Sequence, residues 1–173
     1  ESPNLFVAFE GTPYNSVQEF VAYAKANPGK VTFSSSGVGT TTHLVAELFK
    51  TVTGIAVLHV PYKGSAPALN DLITGRLDVM FDYPVSVGPH VQAGKLKVLA
   101  TTAPERLGAV PKAPTMAELG LKEMTTQSWS GIMGAAGTHG QIWARFGGGA
   151  QSALTWGSGG ASSPASLRRT KKS

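Results

Sequence analysis

The sequence predicts an α/β domain in which a largely parallel central sheet is flanked by helices. Short runs rich in Val, Phe, Leu and Ile alternate with amphipathic stretches of roughly 8–15 residues, the pattern of βαβ units. Within the longer stretches apolar residues recur at i, i+3, i+4 and i+7, the spacing of one buried helical face. Glycine and proline punctuate the boundaries of most of these runs.

Leu5 to Phe9 is an apolar strand closed by Thr12-Pro13. Ser16 is placed to cap a helix whose buried face is Val17, Phe20, Val21 and Ala24, and Asn27-Pro28-Gly29 stops it. Lys30 to Ser35 is the next strand. It runs into Ser36-Gly37-Val38-Gly39-Thr40 and a second helix, with Leu44, Leu48 and Val52 expected on one buried line, Val45 and Phe49 beside them, and Gly54 as the stop. Ile55 to Val60 reads as a strand, and Pro67 fits the first turn of a helix buried through Ala68, Leu69, Leu72 and Ile73. Leu77 to Asp82 is a strand, Pro84 to Ala93 a short helix, and Leu96 to Thr101 another strand. Beyond a proline-punctuated loop, Thr115 to Leu119 suggests one helical turn, and Thr126 to Ala135, with Trp129, returns to strand character.

Composition narrows the functional classes. The absence of cysteine excludes disulfides, thiol nucleophiles and thiolate zinc sites. No apolar run approaches the roughly 18 residues of a membrane span. Glu1-Ser2-Pro3-Asn4 begins no secretory leader, so the expectation is a cytosolic protein or one whose upstream part lies outside this sequence. The net charge of +5 is not a basic surface: residues 1 to 123 balance, and the surplus comes from Arg145, Arg168, Arg169, Lys171 and Lys172. Nucleic acid is therefore not the expected partner. From 138 to 173 the text is rich in Gly, Ser and Arg without an acidic residue and is expected to be disordered.

The stretch with most chemistry is Ser35 to Thr42. A strand running through glycines into a helix start presents backbone N–H groups and small hydroxyls at the positive end of a helix dipole, which suits an anion. A P-loop is excluded because no lysine lies between Lys30 and Lys50, and a dinucleotide fingerprint fails because Thr42 stands where its third glycine would be. Two readings remain: Ser36 and Thr40 to Thr42 hold a carboxylate or its waters, or they merely cap the helix. Asp82 ends an apolar strand at the edge where open α/β sheets place ligands, either orienting a ligand or forming a turn. His43, His59, His90 and His139 share no metal-ligand spacing, and no nucleophile elbow or paired carboxylates emerge, so neither metal nor catalytic set is expected.

Taken in order, Tyr23-Ala24-Lys25-Ala26-Asn27-Pro28-Gly29-Lys30, Ser36-Gly37-Val38-Gly39-Thr40, His43-Leu44-Val45-Ala46-Glu47-Leu48-Phe49, His59-Val60-Pro61-Tyr62-Lys63-Gly64, Met80-Phe81-Asp82 and Pro114-Thr115-Met116-Ala117-Glu118 resemble the Bug family. These are TctC-like solute receptors of tripartite tricarboxylate transporters, and the resemblance spans roughly Leu5 to Thr138. It implies a periplasmic, monomeric receptor of the type II periplasmic-binding-protein (Venus-flytrap) fold, without cofactor or enzymatic activity, that hands a small carboxylate to membrane permease subunits. Residues 1–137 would be the second lobe with crossing strands at both ends. Ser35, Ser36, Gly37, Gly39, Thr40, Thr41 and Thr42 would contact the ligand carboxylate, often through water, and Asp82 would line the same cleft. The first lobe is missing from this text, and His139 to Ser173 departs from the family pattern, as a frameshift, truncated gene or misassembled sequence would produce. An effector module of a regulator and an enzyme built on the same lobe are the alternatives; the first would need a helix-turn-helix and the second a nucleophile with a paired base.

Overall fold

A computed structural model describes residues 2–128 of the chain, all within the first of two compact units, Glu1–Ser130. The elements run β1 (Ser2–Pro3), β2 (Leu5–Phe9), α1 (Val17–Ala26), β3 (Thr32–Ser35), α2 (Thr41–Thr53), β4 (Leu58–Pro61), α3 (Ser65–Leu72), β5 (Val79–Asp82), α4 (Pro84–Gln92), β6 (Leu96–Thr101) and β7 (Gln127–Ser128), with a short 3₁₀ turn at Lys122–Met124 before β7. Trp129, the rest of the strand expected through Ala135, and the tail from 138 lie outside the described residues.

Five strands form one sheet in the order β4-β3-β5-β2-β6. β3 is parallel to β4 and to β5, whereas β2 is antiparallel to both β5 and β6. Four strands thus run one way, as βαβ units require, and β2 alone is reversed, which makes the sheet mixed. The reversal brings the N-terminal end of β2 to the edge where β5 ends, with Leu5 opposite Asp82.

Alternation along the strands divides the core into two layers. Phe6, Ala8, Phe33, Val79 and Phe81 face α1 and α2 and meet Val17, Phe20, Val45 and Phe49. Leu5, Val7, Met80 and Leu96 face α3 and α4 and meet Ala68, Leu69, Leu72 and Val87. Phe6 centres the first layer: its ring stacks on Phe81 at 4.5 Å and meets Phe20 edge-on at 5.2 Å and Phe49 at 5.1 Å.

α1 follows its sequence pattern, with the Ser16 hydroxyl accepting from the Glu19 N–H at 3.2 Å. α2 has the expected limits, including Gly54 in the left-handed region, and Val45 and Phe49 are inside as expected, but the buried face is centred on them with Thr42 and Ala46, while Leu44 is 59% exposed. Both the Leu44 line and the Val45 face keep helical spacing, and the sheet selects between them. Phe49 has aromatic partners in Phe6, Phe20 and Phe81, and the Thr42 hydroxyl has polar ones in the loop before the helix. β4 also starts later than expected, at Leu58; Ile55 is buried before the strand, and Leu58 is exposed on this edge strand. Thr115 to Leu119 is a hydrogen-bonded turn rather than a helix, with the Leu119 N–H reaching both Thr115 and Met116 carbonyls.

Candidate functional site

The parallel strands β3, β4 and β5 all end at one edge of the sheet, the place where open α/β sheets receive ligands. Three segments leave that edge: the loop from Ser36 to Thr40, the turn Tyr62-Lys63-Gly64, and Asp82 running into α4. Two backbone bonds knit the first two together, Tyr62 N–H to Ser35 O and Gly64 N–H to Ser36 O, each 3.0 Å. Gly37 has φ +145°, a backbone conformation that L side chains rarely adopt, so the position favours glycine, although a Cβ there would make only ordinary contact, 3.4 Å, with the Tyr62 carbonyl oxygen.

A hydroxyl cluster shapes the loop. Thr42, wholly buried, accepts from the Ser36 N–H at 3.0 Å, and its Oγ1 lies 2.9 Å from Ser36 Oγ and 3.0 Å from Thr40 Oγ1. The Thr40 hydroxyl donates to Gly37 O at 2.7 Å. Thr40 occupies the N-cap position of α2, yet its side chain makes no cap hydrogen bond. The hydroxyls therefore order the loop rather than cap the first-turn N–H groups of α2. Thr41 is half-buried in that first turn, and Gly39 and Val38 form the exposed tip.

Ser35 and Asp82 sit differently from the other predicted residues. Ser35 is buried, and its Oγ lies 2.7 Å from His59 Nε2. Asp82 is also fully buried, on the opposite, α3-facing side of the sheet. Its Oδ1 accepts from the Tyr83 N–H at 2.8 Å and the Ser65 hydroxyl at 3.1 Å, while Oδ2 has no partner among the described residues. Burial raises the Asp82 pKa above the usual carboxylate range, and the bonds from Tyr83 and Ser65 only partly oppose this. The structure thus gathers Ser36, Gly37, Thr40 and Thr42 into one hydrogen-bonded unit, and holds Asp82 beneath the edge as a tie between the starts of α3 and α4.

Sequence reasoning missed His59 and Ser65. A single crossover between β3 and β4 makes them neighbours, and that adjacency was the signal that could have set the end of β4 beside Ser35. Lys63, in the turn after β4, is exposed. Among the described residues no group of three or more His, Asp or Glu side chains could hold a metal, and no helix is long and apolar enough to cross a membrane.

An α/β domain of this topology, with its loops gathered at the ends of parallel strands, is of the periplasmic-binding-protein class. Its solved neighbours are of that class. They include the periplasmic binding protein BugD (33% identity, TM-score 0.69, covering 72% of this chain and 42% of that one). MatC of Rhodopseudomonas palustris, with bound malate, is 29% identical (TM-score 0.70, 72% and 42%). An R. palustris protein with adipate is 39% identical (TM-score 0.67, 69% and 40%). Residues 1–158 match the model of the tripartite tricarboxylate transporter family receptor, TctC, and the chain belongs to that family. The match continues past Thr138, into the stretch whose composition changes. Protein BugT of Bordetella pertussis is 38% identical over 140 residues, 81% of this chain and 43% of that protein. The chain spans about two fifths of the length of the curated relatives it matches.

Proposed function

We propose that this chain forms one wall of a cleft that receives a carboxylate group of a small organic acid, as part of a periplasmic receptor serving membrane permease subunits. The observation that carries the reading is the Ser36–Thr42 loop: a self-ordered hydroxyl cluster beside the start of α2. Donors fixed before the ligand arrives need no reordering on binding, and the helix dipole favours negative charge there. Support also comes from the relatives solved with malate and adipate, both dicarboxylates. Binding rather than catalysis is the activity, because the hydroxyls are committed to each other and to Gly37 O. Ser35, Thr41 and Gly39 complete the loop as ligand-facing or supporting positions. Asp82 acts from below by fixing where α3 and α4 begin.

Titrating the ¹⁵N-labelled chain with malate and adipate tests this. The amides of Ser36, Gly37, Gly39, Thr40, Thr41 and Thr42 should shift together and saturably, and the Thr42→Val chain should show weaker shifts. Saturable binding that leaves these amides in place would refute the assignment.

A further inference from the structure

Two histidines from different elements meet beside the loop. His43, on the first turn of α2, and His59, on the edge strand β4, stack with ring centroids 4.2 Å apart and planes 21° from parallel. His59 stacks in turn on Phe33 at 4.6 Å. Each imidazole grips one end of the loop: His59 Nε2 lies 2.7 Å from Ser35 Oγ at its start, and His43 Nδ1 accepts the Gly39 N–H at 3.2 Å near its tip. An Nδ1 that accepts a hydrogen bond carries no proton, so neutral His43 has its proton on Nε2, which faces Glu47 Oε1 at 3.7 Å.

We infer that His43 and His59 are positioning residues, a stacked clasp that fixes the shape of the Ser35–Thr42 loop and releases its tip when His43 gains a second proton. Protonation at Nδ1 sets a donor against the Gly39 N–H, and that bond cannot survive. Two stacked imidazolium rings would also repel, so the pair resists carrying two charges. Among the described residues the ionisable groups facing the pair come from α2: Glu47, beside His43, and Lys50, which bonds Glu47 at 2.9 Å and lies over the Phe33 ring at 5.6 Å. β3, packed between them, contributes none. Burial lowers the pKa of His59, charge on His43 lowers it further, Glu47 opposes and Lys50 reinforces the shift. His43 is the ring of the pair whose second proton would break a bond to the loop tip, because its Nδ1 accepts the Gly39 N–H. Its consequence for ligand rests on the carboxylate reading above; the clasp itself does not.

The test is a titration of the full ¹⁵N-labelled chain from about pH 8 to about pH 5, reading the Gly39 amide and both imidazoles by NMR. The Gly39 resonance should follow the same one-proton curve as His43. His43→Asn offers an acceptor oxygen at the Nδ1 position and does not titrate, so Gly39 should keep its high-pH position throughout. His43→Phe keeps the stack without an acceptor, so Gly39 should be displaced at every pH. A Gly39 signal that stays still while His43 titrates overturns the inference, as does His43→Asn displacing Gly39 as far as His43→Phe. In a parallel malate titration, binding by the unsubstituted chain should weaken below the His43 midpoint, by at most about tenfold per pH unit, relative to His43→Asn under the same conditions. Absence of malate binding at every pH would count against the carboxylate reading, and the Gly39 curve would still decide the clasp.

Discussion

Replacing Thr42 by valine removes one oxygen and keeps the shape, so it isolates what the buried hydroxyl contributes. Three bonds go with it: the acceptor for the Ser36 N–H and the contacts to Ser36 Oγ and Thr40 Oγ1. The Ser36 and Thr40 hydroxyls remain 3.3 Å apart and Thr40 keeps Gly37 O, so these two groups lose little. The Ser36 N–H has no such substitute, and stranding a donor of this kind costs about 1–3 kcal/mol, toward the lower end where water can reach it. With the weaker hydroxyl pairs the total comes to roughly 1.5–3 kcal/mol. The control is Thr42→Ser, which keeps the oxygen and loses one buried methyl, about 1 kcal/mol. Urea unfolding followed by far-ultraviolet circular dichroism should show a lower midpoint at constant slope for both, with valine the more destabilised. A Thr42→Val chain within about 0.5 kcal/mol of the original, the range of a neutral surface change, would show that the loop does not depend on this hydroxyl. Serine more damaging than valine would show the methyl matters more.

Truncating Phe6 to alanine removes the ring shared by Phe20, Phe49 and Phe81 and should cost about 3–5 kcal/mol in the same unfolding assay. Gly39 has φ +80° with open space where a Cβ would stand, so Gly39→Ala should cost about 1–2 kcal/mol from backbone strain alone, and crowding contributes nothing. Asp82→Asn keeps an acceptor for Tyr83 and Ser65 and removes a buried charge. Because the folded state raises the Asp82 pKa, its protonated form is favoured by folding, and stability is lost as pH rises through the folded pKa. Asparagine should therefore raise the melting temperature at neutral pH, with the advantage shrinking as pH falls toward 4; an unchanged or larger advantage in acid would contradict the assignment.

Local signals were legible where a residue acts within its own element. Ser16 capped its helix, Gly54 stopped α2, and Asp82 closed β5, all as spacing implied. Choices made by distant partners were not. Leu44 and Val45 share one broad apolar stripe in the sequence, and only the aromatic layer around Phe6 decides that Val45 stays inside while Leu44 turns outward. The reversal of β2 depends on pairing with β5 and β6, far along the chain, which no local pattern encodes. At the site, Ser36, Thr40 and Thr42 lie close enough in sequence for their cluster to be anticipated. The His43–His59 stack was invisible to ligand-spacing rules because 16 positions and a strand crossover separate the two rings.

The antiparallel pair of β1 with β7 sets Ser2 opposite Ser128. Some 125 residues therefore leave and return at a single doorway, with the two ends of the described segment side by side. Such an arrangement behaves as a cassette. The same closeness suits the domain to grafting into a loop of another scaffold, or to joining its ends and opening the chain elsewhere.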